Sequence, residues 1–262
     1  MRASSIANKF CSNSTGAFDT LLLENNFYIE GEVGISIAGD TSNALRFANV
    51  TIRDNVLMHI GRTQPTNRDL AWYLDCQDWD GGLVENNLFL DQPLLDNSYG
   101  INFSGQSERN VTIRTNVFYG LRGRSFEFSV NGSESGILVQ DNEFQDEAQS
   151  SKLIVHSGSF SPLTYQGNKY FTNASAAAWF KVGGVNKSYS QWLTSSGETG
   201  SSSASISYPA PGRDEATYMS SLGGTPSLAA FAAAARAQSK SNWYPEFTAA
   251  ALNTYIRAGF GR

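Results

Sequence analysis

Along the first two-thirds of the chain, apolar and polar residues alternate in short runs. In VTIRDNVL (50–57), Val50, Ile52 and Val56 can face one way while Thr51 and Arg53 face the other. Period-two alternation bounded by Asn and Gly predicts half-buried strands. Six such runs resemble one another: LLLENNFY (21–28), VTIRDNVLM (50–58), GLVENNLFL (82–90), VTIRTNVFY (111–119), GILVQDNEF (136–144) and PLTYQGNKYF (162–171). Their register residues are Asn26, Asn55, Asn87, Asn116, Asn142 and Asn168, at intervals of 29, 32, 29, 26 and 26. A period in this range implies units that cannot bury their own apolar face and stack on one another.

A second β-like run closes each unit: GISIAG (34–39), WYLDCQ (72–77), GINFSG (100–105), SFEFSV (125–130), KLIVHSG (152–158) and AWFKVGG (178–184). Each unit therefore carries two or three short strands. Propeller blades have longer periods, of about 40 residues. An Asn at one corner of every unit suits parallel coils, where it stacks on its neighbours at about 4.8 Å. The expectation is an all-β chain, a parallel β-helix of about six coils over 1–193. A Ser/Gly/Pro-rich loop follows over 194–213, and an α-helical C-terminal cap over 214–262. In the tail, Thr225 suits a helix N-cap with Pro226 in the first turn, Pro245 a helix entrance and Gly259 a C-cap. A cap protects the open end of a β-stack; the rival reading is a partner-binding helical hairpin.

Composition narrows the partners. The 262 residues carry 19 basic and 24 acidic side chains, net −5, which disfavours nonspecific binding to nucleic acid or an anionic membrane. No run approaches the ~18 apolar residues of a membrane span, and no signal peptide is visible in this chain. The two cysteines, Cys11 and Cys76, lie in different coils, which excludes a disulfide framework, and the two histidines, His59 and His156, argue against a His-rich metal centre. No cofactor is expected; calcium held by carboxylates is the only metal the acidic stretch around Asp91 and Asp96 suggests. Of six Asn-x-Ser/Thr triplets, at Asn13, Asn49, Asn110, Asn131, Asn173 and Asn186, two recur just before VTIR. That placement favours a structural role at a strand entrance. GGVNKS (183–188) lacks P-loop spacing, and no Gly-x-Ser-x-Gly elbow is evident.

The Asn-cornered coils resemble the right-handed parallel β-helix superfold of pectate lyases, polygalacturonases, alginate lyases, mannuronan epimerases and phage tailspikes. The tail stretches SYSQWLTSSGETGSSS (188–203) and ARAQSKSNWYPEFTAAALNTYIRAGFG (235–261) resemble the ends of bacterial secreted β-helix proteins. The resemblance implies an extracellular or cell-surface protein that binds or acts on a polysaccharide, as a monomer or homotrimer. It specifies fold more than chemistry.

In a solenoid, equivalent positions form rows. Aligning the closing strands by inward residues places Asp75, Asn102, Glu127 and Lys181 outward in one row, with Ile154 or His156 in the fifth coil. Asp75 and Glu127 would then stand about 9.6 Å apart, near the upper end of the ~6.5–9.5 Å of inverting glycosidases. Asp78 and Asp80 follow close by, and clustered carboxylates raise one another's pKa, as an acid catalyst requires. Arg62, Arg68, Arg122, Arg124 and Lys152 gather between the Asn and the closing strand. Such groups bind an acidic sugar and acidify its α-proton for elimination, with Arg122 as the candidate; ordinary ion pairing is the competing use. Trp72, Tyr73 and Trp79 flank Asp75–Asp80 as candidate sugar-stacking side chains, and Tyr99, Tyr119 and Trp179 are further outward or corner aromatics. Corner packing is the competing role. The long corner GRTQPTNRDLA (61–71) is a candidate cleft wall. The functional expectation is a polysaccharide hydrolase or lyase with its site across coils two to four; the alternative is a non-catalytic surface or tailspike-like β-helix.

Overall fold

The structure is a computed structural model that describes residues 6–11, 18–39, 46–93, 95, 97–105, 107–129, 133–147 and 152–262. Asp96, Asn13 and Asn131 lie outside the described residues. Strands come in triplets. The first three are β1 Ile6–Cys11, β2 Phe18–Glu24 and β3 Phe27–Ile29; the next are β4 Val33–Ala38, β5 Phe47–Arg53 and β6 Val56–Met58. The third triplet is β7 Leu70–Gln77, β8 Trp79–Glu85 and β9 Leu88–Gln92, and the fourth β10 Asn97–Phe103, β11 Arg109–Arg114 and β12 Val117–Leu121. Then come β13 Arg124–Ser129, β14 Ile137–Gln140 and β15 Glu143–Asp146, and β16 Lys152–Ser157, β17 Leu163–Gln166 and β18 Lys169–Thr172. A hairpin, β19 Phe180–Val182 and β20 Val185–Lys187, closes the series.

Each strand from β1 to β16 pairs with the strand three further on in parallel sheets, and β20 adds antiparallel to β19, so the chain is a β-solenoid with three sheets. Sheet 1 runs β1-β4-β7-β10-β13-β16-β19-β20, sheet 2 β2-β5-β8-β11-β14-β17 and sheet 3 β3-β6-β9-β12-β15-β18. Six rungs in sheets 2 and 3 span five steps, so the solenoid makes about five turns rather than the six expected.

The register Asn sits between sheets 2 and 3. Asn55, Asn87, Asn116, Asn142 and Asn168 are all fully buried. From Asn87 onward each side-chain oxygen accepts from the Asn before it: Asn87 Nδ2 donates to Asn116 Oδ1 at 3.0 Å and Asn87 N–H to the same oxygen at 2.9 Å. Asn116 Nδ2 donates to Asn142 Oδ1 at 3.0 Å and to the carbonyl of Val84 at 2.8 Å. A buried amide is tolerated because both its donors and its acceptor are used. The residue before each ladder Asn turns the corner with positive φ: Asn25, Asp54, Asn86, Thr115, Asp141 and Gly167, at 53°, 57°, 53°, 54°, 53° and 66°. Asn and Gly suit that conformation, whereas the β-branched Thr115 is strained there. Two residues beyond Asn87, Asn116, Asn142 and Asn168, rings stack down the core: Phe89, Phe118 and Phe144 at 4.7 and 4.6 Å, then Tyr170 at 5.4 Å from Phe144.

The ladder ends on Glu198, 30 residues after Asn168. Its Oε1 accepts from Asn168 Nδ2 at 2.8 Å, and its Oε2 from Trp192 Nε1 at 2.7 Å and Tyr170 O–H at 3.0 Å. Cys76 is a free thiol buried in the core. Asn49 and Asn110 occupy left-handed backbone at strand entrances, φ 50° and 54°, and bond Asp19 and Asp80 of the preceding coil. That is the structural role their position predicts.

Ser207–Arg262 forms a second compact unit together with Asn25–Phe27. Before it, helix α1 Tyr189–Ser196 is capped by Ser188 and Gly197, an element absent from the sequence reading. In the tail, α2 Glu215–Ser221 is capped by Asp214. Helix α3 Leu228–Arg236 is capped by Ser227 rather than Thr225, so Pro226 precedes the cap. Pro245 opens a short 3-10 turn, and α4 Ala249–Gly259 starts from the Thr248 cap and ends on Phe260.

Candidate functional site: the outward face of sheet 1

The strand register brings Ser36, Asp75, Asn102, Glu127, Val155 and Lys181 into one row across sheet 1. Asp75, Asn102, Glu127 and Lys181 therefore align as the alternation predicts, but the fifth coil contributes Val155, not Ile154 or His156. Leu153 and Ile154 are both buried in the core, as are Tyr73 and Leu74 at the equivalent positions of the third triplet. The alternation slips by one residue where sheet 1 leaves the corner. In neighbouring rungs this inward position is Gly34 or Gly100, where a Cβ would stand 2.7 Å from the Tyr73 carbonyl or 2.4 Å from that of Ser125.

Asp75 is only 3 % exposed although it lies on the outward row. Tyr99 O–H donates to its Oδ1 at 3.3 Å, Asn102 Nδ2 to Oδ1 at 3.3 Å and Ser36 O–H to Oδ2 at 3.2 Å. Burial raises the Asp75 carboxyl, and the hydrogen bonds from Asn102, Ser36, Tyr99 and Gln77 offset this only in part. Tyr99, itself buried, stacks on the half-buried Trp72 at 5.1 Å between ring centres. Trp72, Tyr99, Arg124 and Lys152 form a second row beside the first. Arg124 Nη1 donates to Glu127 Oε2 at 2.7 Å, so these two charges serve each other. Lys152 Nζ donates to the Ala178 carbonyl at 2.8 Å; burial and the nearby Lys181 lower its pKa.

Other candidates stand elsewhere. Tyr73 is a core residue whose O–H donates to the Leu90 carbonyl at 2.6 Å, and Trp79 is wholly buried, with Nε1 donating to the Ile37 carbonyl at 3.1 Å. Neither can stack on a sugar; both seal the solenoid. Tyr119 and Trp179 are half-buried, and Trp179 Nε1 donates to the Ala174 carbonyl. Arg68 pairs with the fully buried Glu32 at 2.7 Å, and Thr66 also donates to that carboxylate. Burial would raise Glu32, but the bonds from Thr66 and Arg68 outweigh it and hold the carboxyl down at about 2. The 61–71 corner thus folds back onto Glu32 instead of standing as a wall. Arg62 pairs with Glu30, and with Arg122, Asp91, Gln92, Pro93 and Gly120 it lines a shallow, open recess of about 260 Å³.

Asp78 turns into a buried corner between sheets 1 and 2. Its Oδ1 accepts from Ser107 O–H at 3.1 Å and its N–H donates to Glu108 Oε1 at 3.3 Å. Glu108 is fully buried; burial pushes its carboxyl up to about 7, with the charges of Asp78 and Glu134 adding to the effect. Glu108 and Glu134 are not among the residues expected from the sequence. Their spacing of 26 residues equals that from Asn116 to Asn142, and Arg109 bridges Ser135 in register, so the repeat itself carried the signal. Among the described residues no group of three or more His, Cys, Asp or Glu side chains is arranged to hold a metal ion.

Compared with known proteins, the chain matches no family model, no curated protein and no solved structure. The solenoid architecture therefore rests on its own strand pairing.

Proposed function

We propose that the outward face of sheet 1 binds a polysaccharide chain laid across its rungs, in an extracellular or cell-surface setting. The observation that carries this reading is the half-buried, outward-row Trp72 ring, stacked on Tyr99 of the next rung and set beside the register row Asp75, Asn102 and Glu127. An indole face offers an apolar platform to sugar C–H groups, and amides and carboxylates at fixed spacing bond hydroxyls. Rungs of a parallel sheet repeat at about 4.8 Å, so Asp75, Asn102 and Glu127 present one polar group per step to a periodic ligand, before Val155 interrupts the row. Lys152 and Lys181 bias the later rungs toward an acidic sugar such as a uronate.

Cleavage is a second reading, favoured by one observation: Asp75 has the raised pKa of an acid catalyst, two rungs from Glu127. Two rungs make about 9.6 Å, at the limit of an inverting pair with water between. Burial of Asp75 makes binding the first reading, since a substrate oxygen must displace its present partners to reach it. Elimination is less favoured, because Arg122 lines the recess with Arg62 rather than the Asp75 row.

A panel of neutral and acidic polysaccharides tests both. Retardation in affinity gels reads binding, while reducing ends and unsaturated-uronate absorbance read cleavage. Trp72→Ala should weaken binding at least about tenfold, the ~1.4 kcal/mol of one lost stacking platform. No retardation by any polymer, or retardation untouched by Trp72→Ala, sinks the proposal; activity that survives Asp75→Asn and Glu127→Gln sinks the catalytic reading.

A further inference from the structure

The outward face of sheet 2 carries two register rows that the saccharide reading does not use. One is Leu22, Thr51, Leu83, Thr112, Leu138, Thr164, and the other Glu24, Arg53, Glu85, Arg114, Gln140, Gln166. The first alternates a large apolar side chain with a small one on every rung. The second alternates negative with positive over four rungs and ends in two neutral amides. Their inward neighbours, such as Ile52, Val84, Ile113 and Val139, fill the core, so the strands present these rows outward by strict period two.

Neither row is buried. Leu22 is 51 % exposed, Thr164 is exposed, and Thr51, Leu83, Thr112 and Leu138 are half-buried. The charges pair along the row within the chain, Arg53 with Glu24 at 2.9 Å and Arg114 with Glu85 at 2.8 Å, which fixes their side chains in place.

Such a row has a symmetry property. Turn a second copy about a two-fold axis that lies in the plane of the interface, parallel to the strands and between the third and fourth rungs. Rung three then meets rung four, two meets five and one meets six. Leu83 faces Thr112, Leu138 faces Thr51 and Leu22 faces Thr164, a large side chain opposite a small one at every step. Glu85 faces Arg114 twice, and Arg53 and Glu24 face the neutral Gln140 and Gln166. No like charges meet. A two-fold interface requires such self-complementarity of one patch.

We propose that the sheet 2 face is the interface of a two-fold homodimer, with the Leu/Thr row interdigitating and the Glu85–Arg114 pairs fixing the register. Six rungs at ~4.8 Å by strands of up to seven residues at ~3.3 Å give a footprint on the order of 600 Å². Side-chain relief raises the accessible area above that figure, into the range of the ~800 Å² per partner of a standard interface. The proposal is independent of the saccharide reading, because sheets 1 and 2 are different faces of the solenoid.

Sedimentation equilibrium of the full chain tests it, at concentrations up to about 100 µM, well above the Kd of a standard-size interface. The wild type should form a dimer. Leu83→Glu, which sets a charge opposite Thr112, and Glu85→Arg, which sets Arg against Arg114, should each weaken it at least about tenfold. The double variant Glu85→Arg/Arg114→Glu restores opposite charges between positions 85 and 114, within and between chains, and should return most of the dimer affinity that Glu85→Arg loses. Circular dichroism checks that each variant keeps its β-signal, and Leu138→Glu serves as a second stripe variant if Leu83→Glu does not fold. A wild type that stays monomeric, a trimer, or a dimer indifferent to both stripe variants and the charge reversal overturns the proposal.

Discussion

Removing the side chain of Asn116 is the sharpest test of what holds the coils in register. Its oxygen accepts from the Asn87 N–H and from Asn87 Nδ2, and its amide donates to the Val84 carbonyl and to Asn142 Oδ1, at 2.9, 3.0, 2.8 and 3.0 Å. In Asn116→Ala these four bonds vanish in a site with no exposed surface. Asn87 Nδ2 keeps its bond to Ile52, and Asn142 Oδ1 keeps the Asn116 N–H, so the main losses fall on two backbone groups, the Asn87 N–H and the Val84 carbonyl. An orphaned buried polar group costs about 1–3 kcal/mol, so the substitution should cost about 2–6 kcal/mol. That is a large part of the ~5–15 kcal/mol of a typical domain. Urea unfolding followed by circular dichroism measures it, with Arg62→Ala as the reference for an exposed ion pair, to Glu30, worth about 0–1 kcal/mol. If Asn116→Ala costs no more than Arg62→Ala, the ladder is not what registers the coils.

Thr115→Asn, which replaces a β-branched residue at φ 54° by the type found at Asn25 and Asn86, should stabilise the fold by up to about 1 kcal/mol in the same assay. Glu198→Ala removes the acceptor of Asn168, Trp192 and Tyr170 and should cost about 2–5 kcal/mol, a loss that indole fluorescence during unfolding would report. His156 is buried between Phe128 and Phe160, and burial lowers its pKa from 6.5 to about 4. The unfolded chain therefore binds the extra proton first. Stability is full above pH ~6.5 and falls by on the order of 3 kcal/mol as the pH drops toward 4; His156→Phe should flatten that part of the pH–stability curve.

The ladder was legible in the sequence because an Asn recurring in apolar surroundings has few other uses. The Asp75–Asn102–Glu127–Lys181 row was legible for a similar reason: those strands keep strict alternation beyond the corner. Tyr73 and Trp79 were misplaced where alternation fails, since Tyr73 and Leu74 both turn inward as sheet 1 leaves the corner. The same slip put Val155, rather than its neighbours, in the outward row. Glu198 escaped notice because the apolar run that marks every other ladder position is replaced there by helix α1, although its spacing continues the repeat. Side-chain burial decided the rest. Nothing in the local sequence around Asp75 tells that Tyr99, Asn102 and Ser36 close over it from neighbouring coils.

Hydrogen exchange with and without a bound acidic oligosaccharide tests the central functional claim most directly. The account predicts added protection in β7, β10 and β13, centred on Trp72–Gln77, Tyr99–Phe103 and Arg124–Ser129, and none in sheet 2. Protection confined to sheet 2 or to the helices of 207–262, with sheet 1 unchanged, would contradict it.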